Sequence, residues 1–436
     1  MDKIRIIGGN RLNGKVSISG SKNSSLPIMI SSILTDDVLQ IHNVPNLTDI
    51  KTLTFILEEL GASINQISVK ESDLSGAISV NMANIASTTA GYENVSKMRA
   101  SFLVIGPLLA REGYARVSMP GGCAIGTRPV DIHLNGLKTL GANVKVEKGF
   151  VIAEAKKGLT GNHIQLEKSS VGATQNLIMA SSLAKGETKI SNASIEPEVL
   201  DLIDCLKKMG ANIEINEKNI LIDGQETLHG ASHTVMSDRI EAVTFAIAAC
   251  ITRGNLILQG CDPNILELPL HLLRNIGFQI KEIDNGIHVD DYLIDEIKPI
   301  ELITEPYPGF PTDLQAQFMA LLTQAHGVSV INEKIFENRF MHVQELVRMG
   351  ADIYLDGDQA IITGKANLVG AQVMATDLRA SVSLVIAALC AEGETIINRV
   401  YHLDRGFENL EKKLSNCGAD IERISCLLYT SDAADE

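Results

Sequence analysis

The stretch "LVRMGADIYLDGDQAIITG", residues 346–364, decides the fold. It runs from the end of an amphipathic helix through a glycine into two alternating strands. Gly350 stands where a helix terminates in the left-handed conformation that glycine adopts most cheaply. The same join recurs as "LEELGASI", "LKTLGANV", "LKKMGANI", "LRNIGFQI" and "LSNCGADI". The glycines are Gly61, Gly141, Gly210, Gly277, Gly350 and Gly418, separated by 80, 69, 67, 73 and 68 positions. A period near seventy residues marks a repeated supersecondary unit. Helical spacing precedes each glycine, as in Val199, Leu202, Leu206 and Met209, or Phe407, Leu410, Leu414 and Cys417. Period-two patterns follow, as in "ANVKVEKGFVIAEA".

A second helix series alternates with the first: "SSLPIMISSILT", "SFLVIGPLLAREG", "TQNLIMASSLAKG", "VTFAIAACITRG", "LQAQFMALLTQAHG" and "SVSLVIAALCAEG". These are apolar nearly all round, which predicts burial on every side. Five of the six end in glycine and lead into a short strand such as "TKISNA". Each unit therefore holds one buried helix, one half-exposed helix and several strands. Six units in 436 residues predict an α/β protein of two lobes, three units apiece. The join is expected near "HTVMSDRIEA", residues 233–242.

Composition narrows the function. Hydrophobic residues make up 45%, tryptophan is absent and aromatics are 4%, so the core must be aliphatic. The net charge of −15 disfavours nucleic acid, whose phosphates would be repelled. Seven cysteines without a CxxC spacing fit neither a disulfide framework nor a zinc site, and suggest a reducing compartment. The start "MDKIRIIGGN" carries no long apolar run, and apolar runs elsewhere are too short to span a bilayer. The expectation is a cytoplasmic protein without membrane insertion.

The informative polar residues gather where the buried helices begin: "SGSKNSS", "SKMRAS", "KSSVGAT", "SDRIEA", "FPTDLQA" and "MATDLRA". Ser170, Asp238 and Asp377 there have an ordinary use as N-caps. Lys22, Arg99, Lys168, Arg239 and Arg379 do not, because a cation opposes the positive end of a helix. A shared anionic ligand explains them better. Asp313 reads either as a cap or as a carboxylate held at a cleft for general-base work. In "SMPGGCAIGTRPVD", residues 118–131, Cys123 sits among glycines with Arg128 and Pro129 at the next helix start. A thiol beside a cation and a helix start should be reactive. Cys205, Cys250, Cys390 and Cys417 fall within apolar helices and read as small buried hydrophobes. Asp404 and Arg405 read as a surface ion pair, and His342 as a capping or packing residue. No Walker loop, nucleophile elbow, HExxH or metal cluster is visible.

Taken together and in order, "SGSKNSSLP", "SKMRASF", "PGGCAIGTRPVD", "EPEVLDL", "SDRIEA", "GFPTDLQAQFMALL", "FENRFMHVQEL", "VMATDLRASVSLVIA" and "YHLDRGFE" resemble the enolpyruvyl transferase family, in the branch acting on UDP-N-acetylglucosamine. The resemblance covers about residues 1–425. It implies a two-domain inside-out α/β barrel with six repeated α/β units, three per domain. It places residues 22–237 in one domain and residues 1–21 with 238–425 in a second, discontinuous one, and leaves 426–436 as an extraneous tail. It implies transfer of the enolpyruvyl group of phosphoenolpyruvate to the 3-hydroxyl of UDP-N-acetylglucosamine, with release of phosphate through a tetrahedral intermediate. That is the first committed step of peptidoglycan synthesis, and it uses no cofactor and no metal.

Residue by residue, the resemblance makes Cys123 the proton donor and the site of alkylation by fosfomycin. It makes Asp313 the acceptor of the sugar hydroxyl proton. Lys22, Asn23, Arg128, Arg379 and Arg405 become phosphoenolpyruvate ligands, with Lys22, Asn23 and Arg405 also catalytic. Arg99, Arg128, Pro129, Val130, Asp131, Ile132, Lys168, Ser169, Ser170, Val171, Asp313 and Ile335 become the UDP-N-acetylglucosamine contacts. This sequence departs from the family at Ser169 and Phe278, where an apolar residue and an alanine are usual. Beside a redox thiol protein, which predicts loss of function in Cys123→Asp, two alternatives remain at this stage. One is a shikimate-pathway transferase, against which Cys123 and "FENRFMH" argue. The other is a non-catalytic UDP-sugar sensor, against which Lys22, Cys123, Asp313 and Arg405 argue.

Overall fold

The structure is a computed structural model, and it describes residues 2–67, 76–121, 130–290 and 296–425. The quoted stretch folds as its pattern predicts. The helix Val343–Arg348 closes on Met349, Gly350 takes φ +97°, and Asp352–Asp356 pairs antiparallel with Gln359–Thr363. All six join glycines have positive φ, between +93° and +120°. At each one a side chain would be strained whatever the surrounding space.

Every unit contributes to a four-stranded sheet of one design. In the fifth, Glu301–Ile303 lies parallel to Val328–Asn332; Val328–Asn332 pairs antiparallel with Gln359–Thr363, and that strand with Asp352–Asp356. The five other sheets repeat this order, one parallel edge followed by antiparallel partners. Two sheets borrow strands from the N-terminus. Asn13–Ser17 is the parallel edge beside Asn255–Gln259, and Lys3–Ile7 lies between Glu394–Asn398 and Asp420–Ile424. Conversely, Ser232–Thr234 runs parallel to Val38–Val44, closing the ring of the first three units.

The helices that are apolar all round lie inside and the sheets outside. Arg239–Ile251, Gln315–Leu322 and Ser381–Cys390 pack on one another, and every residue of Gln315–Leu322 is buried. Several hydroxyls on such helices are satisfied within the helix. Thr244 donates to the Ile240 carbonyl at 2.7 Å and Ser31 to Ile28 at 2.7 Å, so burial leaves those groups bonded. The apolar interior forms two bodies. One joins Ile4–Ile18 to Ile240–Ile421, and the other spans Leu26–Val235. The chain passes between them twice, side by side: Ser21 N donates to Met236 O at 2.7 Å and Asp238 N to Ser19 O at 2.8 Å.

Two local expectations change. Arg99 does not begin an α-helix; Arg99–Val104 is a 3-10 turn and the α-helix starts at Ile105. Pro107 has no N–H to donate to Leu103, which weakens any backward extension. Asp404 and Arg405 do not pair with each other. Asp404 accepts from Arg423 Nη1 at 3.1 Å, whereas Arg405 reaches across to the other apolar body. Cys205, Cys250 and Cys417 are buried and Cys390 is half-buried. Burial pushes the Cys205 and Cys390 thiols up to about 12, so both are inert. No helix among the described residues is long and apolar enough to cross a membrane.

Candidate active site

The starts of the inner helices bring the misfit charges together between the two bodies. Asp313 lies in a 3-10 turn, Thr312–Leu314, ahead of the helix Gln315–Leu322, and makes no cap bond. Its Oδ1 instead accepts from Arg339 Nη2 at 2.8 Å, and its Oδ2 lies 3.7 Å from Arg379 Nε. Arg379 is 2% exposed and is anchored on its other side. Nη2 donates to Asp238 Oδ2 at 3.0 Å, Nη1 donates to the Gly406 carbonyl at 2.9 Å, and the guanidinium sits over the Phe407 ring. Burial alone would raise the pKa of Asp313. Arg339, Arg379 and Lys22 outweigh it and hold the carboxyl far below the ordinary range.

On the facing body, the helix Lys22–Ser31 begins with buried Lys22, whose Nζ lies 3.4 Å from Asp49 Oδ2. The other oxygen of Asp49 accepts from Arg405 Nε at 2.7 Å, and Arg405 Nη2 donates to the Lys97 carbonyl at 3.2 Å. Asp49 thus ties a lysine and an arginine from different bodies. Burial pushes the Lys22 ammonium below its usual value; Asp49 opposes this, and Arg379, Asp313 and Arg405 all lie close enough to act on it. Lys22, Asp313, Arg379 and Arg405 therefore share one electrostatic neighbourhood. A second ion pair also joins the bodies: Arg239 Nε donates to Glu198 Oε1 at 2.8 Å and Nη2 to Oε2 at 3.3 Å. Burial works against the Arg239 charge, and Glu198 more than offsets it.

A third cluster lies within the body spanning Leu26–Val235. His133, on the helix Asp131–Thr139, bonds Asn176 at 3.0 Å and meets the Phe102 ring edge-on. Its ring lies 3.4 Å from where a Cβ on Gly172 would stand, so the starts of the helices Asp131–Thr139 and Val171–Ser181 face each other. Burial lowers the imidazole to about 3, with Arg99 adding to the effect. Val130 is buried, Ile132 half-buried and Asp131 exposed. Ser170 caps the helix Val171–Ser181 by accepting from Ala173 N at 3.3 Å; Lys168 is exposed and Ser169 half-exposed beside it. Asn23 is half-buried next to Lys22. Ile335 follows the buried Glu333, which accepts from Ile335 N, Thr304 Oγ1 and Thr312 Oγ1 at 2.8–2.9 Å. That carboxylate fixes the residue preceding Asp313. Cys123, Arg128 and Pro129 lie outside the described residues, as does Cys426.

Sequence reasoning missed Asp49, Arg339, Glu198 and Glu333. A signal existed for the first. "LTDI" at residues 47–50 repeats the Thr-Asp pair of "PTDL" and "ATDL" at a helix start. Arg339 lay inside the motif "FENRFMH", masked by attention to His342. His342 is fully buried, and neither ring nitrogen has a hydrogen-bond partner of good geometry. Burial lowers its imidazole to about 4 despite Asp377, so it is neutral at physiological pH. Among the described residues, no three histidine, cysteine, aspartate or glutamate side chains gather as a metal site would need.

Comparison with known proteins fits this geometry. Residues 6–414 match the model of the family described as EPSP synthase (3-phosphoshikimate 1-carboxyvinyltransferase). The chain is 56% identical over 430 residues to UDP-N-acetylglucosamine 1-carboxyvinyltransferase 1 of Mesorhizobium japonicum, covering 98% of this chain and all of that protein. It is 55% identical over 430 residues to UDP-N-acetylglucosamine 1-carboxyvinyltransferase of Sinorhizobium fredii, with the same coverage. Among solved structures, the enolpyruvyl transferase NikO from Streptomyces tendae superposes with a TM-score of 0.88 at 24% identity, over 98% of this chain and 99% of that one. EPSP synthase from Acinetobacter baumannii superposes with a TM-score of 0.75 at 19% identity, over 98% and 100%. These two carry the fold: a two-lobed inside-out α/β barrel.

Proposed function

Because the chain belongs to the EPSP synthase family, and within it to the UDP-N-acetylglucosamine 1-carboxyvinyltransferases, we propose that this cleft transfers the carboxyvinyl group of phosphoenolpyruvate to the 3-hydroxyl of UDP-N-acetylglucosamine. The protein is a transferase of peptidoglycan synthesis, working in the cytoplasm. Its two lobes are residues 22–237 and residues 1–21 with 238–425.

Lys22, Asn23, Arg379 and Arg405, with Arg128, hold the phosphate and carboxylate of the enol phosphate. Arginine suits this task because its planar fork matches both anions. Asp313 accepts the proton of the sugar hydroxyl as that oxygen bonds to C2. The Cys123 thiol gives its proton to C3. The tetrahedral intermediate then loses phosphate from C2 and a proton from C3, restoring the double bond. Arg99, Val130–Ile132, Lys168–Val171 and Ile335, with Arg128 and Pro129, hold the UDP-sugar. Asp49 and Arg339 act as positioning residues, the first for Lys22 and Arg405, the second for Asp313.

One observation carries this reading. Among the described residues, the cations named for phosphoenolpyruvate already lean on internal carboxylates, Lys22 and Arg405 on Asp49 and Arg379 on Asp238 and Asp313. A set of buried cations stabilised by borrowed anions is what a small polyanion can take over. The test is phosphate release. It should require both substrates, and Cys123→Asp should retain it, because a carboxylic acid still donates a proton. Binding of both substrates without phosphate release would remove the catalytic reading.

A further inference from the structure

Three cations hold Asp313 down: Arg339, Arg379 and Lys22, in that order of effect. They differ in how they do it. Arg339 Nη2 makes a true hydrogen bond at 2.8 Å. Arg379 approaches only to 3.7 Å, and its Nε–H, on a side chain 2% exposed, has no hydrogen-bond partner. The remaining edge of that guanidinium is pinned by Asp238 and Gly406. Arg379 therefore presents one fixed, unspent donor beside Asp313. Lys22 acts on Asp313 from the facing body, and the Arg239 guanidinium also lies within its field.

The two loosely engaged cations, Lys22 and Arg379, are the ones assigned to the enol phosphate, and the tightly bonded Arg339 is not. The asymmetry has a chemical consequence. A carboxylate flanked by three cations is a poor base, since every one of them favours the charged form it already has. An entering phosphate and carboxylate bring two or more negative charges onto Lys22 and Arg379. They cancel most of the field that quiets Asp313, and leave Arg339 to hold its orientation.

We propose that Asp313 is kept inert in the free enzyme by cations that the enol phosphate itself takes over, so that the base becomes competent only once that substrate is in place. The proposal rests on the reading of Asp313 as the base and of Lys22 and Arg379 as phosphoenolpyruvate ligands. It adds an order of events within the site: the substrate's charge, rather than a movement of the base, switches on proton removal. Asp313 is 26% exposed, so it is open to the hydroxyl it serves.

The experiment is calorimetric. Enzyme saturated with UDP-N-acetylglucosamine is titrated with 2-phospholactate, a saturated analogue with the same phosphate and carboxylate and no double bond to react. Titration in two buffers of different ionisation heat gives the protons taken up on binding. Subtracting the uptake measured for Asp313→Asn removes the analogue's own ionisation. The expected result at pH 5 is an excess of about a tenth of a proton in the wild type, as for a carboxyl returned to near its ordinary pKa of about 4. Equal uptake in the two proteins overturns the proposal.

Arg339→Gln supplies a second arm. It removes the cation that the substrate does not claim, so once the analogue engages Lys22 and Arg379 burial acts on Asp313 with less opposition and the excess should rise. An Arg339→Gln excess identical to that of the wild type also counts against the proposal. Turnover of Asp313→Asn separates the two levels of failure. A dead variant with no excess uptake sinks only the switching, whereas a variant with wild-type turnover sinks the base itself.

Discussion

Asp313 and Asp377 occupy the same place in successive units, in "PTDLQA" and "ATDLRA", yet they are used differently. Asp377 caps the turn that leads into its helix: its Oδ1 accepts from Arg379 N and Ala380 N, both at 2.8 Å. Asp313 makes no such bond and spends Oδ1 on Arg339. Asp238, at the start of the preceding unit, does both. It caps through Ile240 N and Glu241 N at 2.9–3.0 Å and binds Arg379 with its other oxygen. The repeated fold hands the last three units the same aspartate at the same helix start. Function shows where one copy gives up the structural role that its siblings keep.

Substitutions that separate capping from charge pairing can break or sharpen that contrast. The largest loss should come from Asp238→Ala, which removes a cap and leaves buried Arg379 without its closest anion. About 3–5 kcal/mol of stability is expected to go. Asp238→Asn, which still caps, should lose clearly less by denaturant titration, and equal losses would mean the charge is irrelevant. Next comes Arg405→Gln, expected to lower kcat/KM for phosphoenolpyruvate about 100-fold, or ~2.7 kcal/mol. Arg423→Gln, which strips the partner of neighbouring Asp404, should leave kcat/KM within about threefold.

The buried histidines predict a pH effect. His342 is lowered to about 4 and His133 to about 3, so the unfolded chain binds their protons first as pH falls. Their contribution is whole above about 6.5 and drains away as pH drops toward 4 and then 3. His342→Gln should flatten the stability-against-pH slope between about 6.5 and 4 by up to one proton. An unchanged slope would mean that the ring is already charged in the fold. Smaller still, Asp377→Ala should cost about 1 kcal/mol of stability as a lost cap, whereas Asp313→Ala loses no cap. A stability loss at Asp313 that matched the cap loss would erase the contrast. Smallest is Gly141→Ala, at φ +93° with nothing within 4 Å of its new Cβ, expected to cost about 1 kcal/mol by thermal melting through backbone strain alone.

How much of this was legible follows from what each feature depends on. The six join glycines were readable because positive φ is a local demand with one cheap answer. The inner helices were readable because burial on all sides leaves no polar face. The caps at Ser170, Asp238 and Asp377 were readable for the same local reason. The cross-body ties were not. Asp49 and Arg405 are 356 positions apart, and nothing in either neighbourhood announces the other. Adjacent Asp404 and Arg405 invited a pairing that the turn forbids, since consecutive residues there point to different partners. The strands Lys3–Ile7 and Asn13–Ser17 are alternating segments like many others; their place among units hundreds of residues away came from resemblance, not pattern.

The account stands most directly on phosphate release by Asp313→Asn and Asp377→Asn, assayed side by side with both substrates. Asparagine preserves size at both sites and the turn-closing acceptor at 377, so only a proton-accepting role should register. A fall of about 100-fold or more at position 313, with position 377 within about tenfold of the wild type, is the predicted outcome. Comparable turnover by both variants, or the greater loss at 377, would contradict it.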